Sequence, residues 1–267
     1  MKPTGKPGDS GVCGNTNVRG ILVRKTSWLV LVSLLVVGFV VPGCSSGSSA
    51  LTVATDATWP PFEYVDTDTN EIVGFDIDVI TMIAEKADLD IEIINVGWDP
   101  LLAGMAQGTY DMAISSITIT EDRKKQMLFS DPYFPAGQIV IVAKDETEIT
   151  GPENLAGVVG AQIGTTGAFE VEKIEAAELK TYDDIGLAVQ DLMNGQIAAV
   201  VCDNPVALDY VKVNPDDLKI VGEAFTDEWY GIAVAKGNED IVPKLNAAIA
   251  EMQAEGAFDD ISRKWLE

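Results

Sequence analysis

One arginine, one aspartate and a set of hydroxyls stand where the chain turns from apolar to polar. In "MAISSITITEDRKK" (Met112 to Lys125) an apolar start gives way to Ser116, Thr118 and Thr120 at every second position. If the stretch is a strand, period two places those hydroxyls on one face. Thr120 then reads as a helix N-cap, with Glu121 and Asp122 in the first turn where negative charge suits the helix dipole. Arg123 comes next, where the dipole disfavours it. Two readings fit: a planar fork that grips a carboxylate, or an exposed side chain neutralising its acidic neighbours. The hydroxyls serve a carboxylate or an ammonium equally well, or simply face solvent.

Further polar residues follow apolar runs. "GTTG" (Gly164, Thr165, Thr166 and Gly167) opens a helix after a strand, and N–H groups at such a helix start suit an anion. No Gly-Lys-Ser/Thr follows, so it is not a phosphate loop. Asp203 ends the apolar run "IAAVVCD" before Asn204-Pro205. It can hold an ammonium, cap the next helix, or both. Cys202 beside it reads as core. Trp59 and Trp98 each follow a strand, as walls for an apolar or cationic group or as packing at a domain edge. Asp56, just before Trp59, offers a second carboxylate.

Positioning these residues requires a framework of alternating strands and helices. "LTVAT", "DIEIINV", "DMAISSITI", "GQIVIVAK", "GVVGAQIG", "QIAAVVCD", "LKIVG" and "YGIAVAKG" read as strands. "GFDIDVITMIAEKA", "DPLLAGMAQG", "TGAFEVEKIEAA", "DDIGLAVQDLMNG" and "PVALDYVKVN" read as helices, with a short helix from Glu121 and two more at the C-terminus. This alternation predicts α/β sheets with helices on both faces. Ligands of such sheets sit beyond the carboxyl ends of the strands, where the residues above lie.

Several classes are excluded or disfavoured. There is no histidine, which removes histidine triads and histidine metal sites. We expect no metal and no cofactor. The basic residues Lys2, Lys6, Arg19, Arg24 and Lys25 precede the uninterrupted apolar stretch from Trp28 to Val41, as in a secretory signal. The box from Val41 to Cys44 looks like a bacterial lipoprotein signal, implying cleavage before Cys44 and lipid on its sulfur. The other reading is an uncleaved anchor helix. Either way the body, 224 residues, lies outside the cytoplasm: periplasmic, or lipid-anchored at the outer face of the cytoplasmic membrane. "SSGSSA" (45–50) is a flexible tether. The body carries 13 basic against 41 acidic residues, a net charge of about −28. Nucleic acid is therefore not expected as a partner, nor is an anionic membrane surface. Cys202 is then the one thiol in the body, and no disulfide can form within it.

With these residues in view, the chain resembles the extracellular solute-binding proteins of polar amino acid ABC importers. The stretches that carry the resemblance are "TDATWPPFEY", "GFDIDV", "WDPLLAGMAQGTYDM", "SSITITEDRKKQMLFSDPYF", "IGTTG", "AAVVCDNPVA" and "YGIAVAKGNE", in the family's order across 51–267. The resemblance implies a type II fold, two α/β lobes joined by two crossover strands and closing like a hinge. It places the first lobe at 51–138 and 229–267 and the second at 139–228, after a signal at 1–43 and a tether at 44–50. It implies that Arg123 pairs with a ligand α-carboxylate, aided by Thr118 and the backbone of Thr166, and that Ser116 and Asp203 bind the α-ammonium. Trp59 and Trp98 would stack over the ligand side chain, and Asp56 would approach its far end. Ser115, Gly164 and Thr165 belong to the same matched motifs. The implied partners are a free amino acid, basic types favoured and glutamine possible, and the membrane permease subunits of an importer. The alternatives are an enzyme on the same fold, of the cyclohexadienyl or arogenate dehydratase kind, and a ligand-sensing domain.

Overall fold

A computed structural model describes residues 50–267. The basic leader, Cys44 with its lipid reading, and the tether up to Ser49 lie outside the described residues. The described residues form one compact unit.

Two five-stranded sheets organise this unit. The first runs in the order Ile91–Asn95, Leu51–Thr55, Met112–Ala113, Ala233–Val234, Leu128–Phe129. Its first three strands are parallel, and Ala233–Val234 is antiparallel to both of its neighbours. The second runs Ala177–Tyr182, Gly157–Gln162, Ala199–Asp203, Gln138–Ala143, Leu218–Val221, parallel for three strands and antiparallel for the last two. Between them, Phe134–Ala136 carries the chain out of the first sheet and Glu228–Tyr230 brings it back. These two pair antiparallel. The molecule is thus a two-lobed α/β protein with two crossings.

Helices cover the sheets because their apolar residues recur on one face. Phe75–Ala87 buries Phe75, Ile77, Val79, Ile80, Ile83 and Ala84, and packs against Val242–Glu255 and Ala257–Trp265. Gly74 precedes it at φ 138°, with Phe62 O where a Cβ would stand 2.1 Å away, so a side chain does not fit there. Trp98–Gln107 begins after Gly97 and Ile185–Met193 after the Asp184 cap, one residue before and two residues after the starts of the stretches that read as helices. Among the described residues no helix is long and apolar enough to cross a membrane.

Three expectations need correction. The strand through "DMAISSITI" stops at Ala113, so Ser116, Thr118 and Thr120 do not share a strand face. Polar side chains take over the backbone: Asp76 accepts the Ser116 N–H at 2.7 Å, and Ser116 adopts φ 48°. The helix read over "TGAFEVEKIEAA" ends at Val171. The residues after it turn into Ala177–Tyr182, an edge strand whose pairing with Gly157–Gln162 overrides local helix preference. "YGIAVAKG" is split into Glu228–Tyr230 and Ala233–Val234. Short strands at Thr58–Trp59, Glu63–Val65 and Ile72–Val73 form a further small sheet that the sequence reading did not contain.

Candidate functional site

The carboxyl ends of both sheets' strands face a common cleft. Its lining includes Asp56, Trp59, Trp98, Ser115, Ser116, Thr118, Arg123, Thr165, Thr166 and Asp203. All of these were read from sequence. The last predicted residue, Gly164, lies just behind, with its carbonyl accepting from Arg123 Nη2 at 3.2 Å.

Arg123 is positioned by the four-residue helix Glu121–Lys124. The Thr120 hydroxyl accepts the Arg123 N–H at 3.1 Å, so the N-cap reading holds. Arg123 is nevertheless buried, only 8% exposed, so its reading as an exposed neutraliser fails. Glu121 and Asp122 are neutralised instead by Lys124 and Lys125. The guanidinium lies 5.2 Å from the Trp98 ring centroid and donates to the carbonyls of Thr118 and Gly164. Among the described residues no carboxylate reaches it within ion-pair distance. Burial lowers its pKa to about 10, against the raising fields of Asp203 and Glu228.

Asp203 shows the reverse arrangement. It stands at the start of helix Asn204–Val213 without capping it through its side chain. Its carboxylate accepts from Gln138 Nε2 and from the Tyr230 hydroxyl. Burial lifts its pKa to about 6, and the Tyr230 bond pulls the other way. Cys202 beside it is buried, as expected of a core residue.

Behind the serines lies an acidic pair. Ser115 accepts the Asp56 N–H and donates to Glu63 Oε1, both at 2.9 Å. The Ser116 hydroxyl points to the other Glu63 oxygen at 3.4 Å. Asp76 accepts from the Ser116 backbone and from the Tyr133 hydroxyl at 2.8 Å. This grip holds Ser116 in a left-handed conformation that serine rarely adopts. Glu63 and Asp76 are fully buried, and desolvation raises both, Asp76 to about 7 and Glu63 well above the ordinary range. Asp56 is also raised by burial, opposed by its bonds from Thr58 and Gln162.

Glu63 and Gln162 also line the cleft, and the sequence reading missed them. It missed Gln138 and Glu228 behind it too. Gln162 donates to Asp56 at 3.1 Å, bridging the ends of the two sheets. A polar residue closing or opening an apolar strand, as Gln162 and Gln138 do, was the available signal. Glu63 and Glu228 lie on short strands whose pattern reads as solvent-facing. Among the described residues no cluster suits a metal ion.

The family model of bacterial extracellular solute-binding proteins, family 3, matches residues 51–267. The chain belongs to that family. The L-cystine-binding protein TcyJ of Escherichia coli strain K12 is 35% identical to this family 3 protein over 219 residues, 81% of this chain and 82% of that one. An ancestral arginine-binding protein bound to arginine superposes with a TM-score of 0.77 at 43% identity, covering 82% of this chain and 98% of the other. An ancestral arginine-binding protein bound to glutamine gives 0.76 at 44%, covering 81% and 97%.

Proposed function

We propose that this protein is the solute-binding component of an ABC importer and encloses an L-amino acid between its lobes. The observation that carries this reading is Arg123: a buried guanidinium whose side-chain partners are carbonyls, opening on a cleft that also holds the buried Asp203. A buried cation without an anion is costly. A ligand α-carboxylate would supply the anion bidentately, while Asp203 and Ser116 meet the ammonium. Thr118 and Thr166 stand beside Arg123 for the same group. Trp59 and Trp98 flank the side chain, with Asp56 and Ser115 further along. The first lobe comprises 51–138 and 229–267, the second 139–228.

The side chain that suits this cleft is cationic. Asp56, Glu63 and Asp203 line it, with Arg123 as the single basic residue of the lining. Arginine, lysine and histidine are favoured. Glutamine is kept as a second candidate: the arginine-bound ancestral relative supports the first choice and the glutamine-bound one the second. The role is binding without turnover, and the partners are permease subunits in the membrane. We place the protein outside the cytoplasm, held by lipid on Cys44. Metabolic labelling with a radioactive fatty acid, lost in Cys44→Ala, tests the anchor.

Isothermal titration with free L-amino acids tests the function. Micromolar or tighter binding of a basic amino acid is expected. Failure of all of them, with turnover of an aromatic precursor, would move the protein to the enzymes of this fold.

A further inference from the structure

Glu228 opens the strand by which the chain returns to the first sheet; it is buried, and among the described residues no basic side chain reaches it within ion-pair distance. Its Oε2 accepts the Thr118 hydroxyl at 2.9 Å and the Thr166 hydroxyl at 2.8 Å. Gln138 Nε2 lies 3.4 Å from the same oxygen, and Oε1 accepts from Thr226 at 2.7 Å. Gln138 also donates to Thr166 and is itself held through its N–H by Thr226.

The two threonines come from opposite sides of the cleft. Thr118 follows a strand of the first sheet and bridges to Tyr230, with the Ile119 N–H bonded to Trp229 O at 2.8 Å. Thr166 starts the helix that follows strand Gly157–Gln162 of the second sheet. One carboxylate oxygen therefore collects a hydroxyl from each lobe. Parting the lobes breaks at least one of those bonds and leaves a half-satisfied carboxylate that water must repair.

We propose that Glu228 is a positioning residue that latches the closed form by binding Thr118 and Thr166 at once. The proposal rests on the reading that solute is enclosed between the lobes, and it reassigns two residues of that reading. The hydroxyl protons of Thr118 and Thr166 belong to Glu228, so a ligand carboxylate meets Arg123 and backbone N–H groups rather than these hydroxyls. Substituting Thr118 acts through lobe closure.

The test does not depend on which solute binds. Single-molecule energy transfer, with dyes at the exposed positions 92 and 178 on the edge strands of the two sheets, reads the open and closed populations without added amino acid. The wild type is expected to show a measurable closed population. Glu228→Ala is expected to reduce it about tenfold, the scale of one lost hydrogen bond to a charged group. Thr118→Val is expected to reduce it alone but to add nothing in the Glu228→Ala background. Glu228→Gln keeps one accepting oxygen, falls between, and serves if the alanine variant does not fold by circular dichroism. A wild type with no closed population, an unchanged population in the Glu228 variants, or additive effects of Thr118→Val would each overturn the latch. Failure of every free L-amino acid to bind the wild type counts against the proposed function and leaves these populations to decide the latch separately.

Discussion

Two short helices face the cleft and begin the same way. Glu121–Lys124 is capped by Thr120, and Thr166–Val171 by Thr165, each hydroxyl accepting an N–H three residues on. Their contents then diverge. The first helix carries four charged residues, of which three stay at the surface while Arg123 turns inward. The second is uncharged over its first turn, and it offers the cleft hydroxyls beside a glycine turn at φ 68°. The same cap supports two devices: a cation delivered on a long arm, and small polar groups held close to the backbone. The difference lies in desolvation. A guanidinium brought into the cleft requires a compensating anion, whereas the second helix asks for nothing its own neighbours do not supply.

Removing the arm should therefore cost far more than trimming the other helix. Arg123→Ala is expected to weaken every amino acid ligand alike, by about 2–5 kcal/mol or roughly 30- to 5,000-fold in Kd by titration calorimetry. Thr166→Ala removes one hydroxyl and should cost no more than about tenfold. Equal losses in the two variants would erase the distinction.

Asp203 sharpens the comparison from the second side of the cleft. Its pKa of about 6 means that it protonates below that pH and then cannot hold an ammonium. Kd should rise by up to about tenfold per pH unit below 6, and Asp203→Asn should be weak with that dependence gone. A flat pH profile for the wild type between pH 5 and 7 would remove Asp203 from the ammonium role.

Behind the first side, Asp76 makes a stability prediction. Below about pH 4 its carboxyl is protonated whether folded or unfolded. Between there and its folded value of about 7 the native state holds a proton that the unfolded chain has lost. Stability falls as pH rises through that window, by up to about 1.4 kcal/mol per unit. The melting temperature should be lower at pH 7.5 than at pH 5, and Asp76→Asn, which keeps an acceptor for the Ser116 N–H, should reduce the slope without abolishing it, because burial raises Glu63, Asp203 and Asp56 in the same direction. The carboxyls lowered by hydrogen bonds, such as Asp66 and Asp191, titrate below this window and do not mask it.

The smallest effects belong to the caps. Thr120→Ala and Thr165→Ala should each cost about 1 kcal/mol of stability by thermal melting. Their effects on binding should differ, because only Thr120 fixes the base of the arm. Equal binding losses would show that the caps matter merely as helix starts.

What could be read beforehand followed from local physics. The cap at Thr120, the apolar spacing of Phe75–Ala87 and the polar residues at strand ends are short-range patterns, and the structure keeps them. Arg123 and Asp203 were visible because each contradicts its surroundings, a cation at a helix start and an acid closing an apolar run. The hydroxyl face was misread because period two assumes that a strand continues. Here Asp76, 40 residues earlier in the chain, takes the Ser116 N–H instead. Glu228 was invisible for the same reason. Its partners Thr118, Gln138 and Thr166 converge only through the crossings, and nothing within "TDEWYG" distinguishes a buried acid from a solvated one.

The buried indoles of Trp59 and Trp98 have one further consequence. Both line the cleft, and neither Nε1 has a hydrogen-bond partner among the described residues. Trp229 is 45% exposed. Dry indoles emit at shorter wavelengths than wet ones, so the cleft pair contributes to the blue side of the spectrum, and Trp229 and the half-buried Trp265, which donates to Asp78, to the red. A guest that draws the guanidinium away from the Trp98 ring changes the field on that ring, and one lying against Trp59 changes it there too, while Trp229 lies outside the cleft lining. Occupancy is thus written into the protein's own light, on one side of its emission band, with the surface tryptophan as an internal reference.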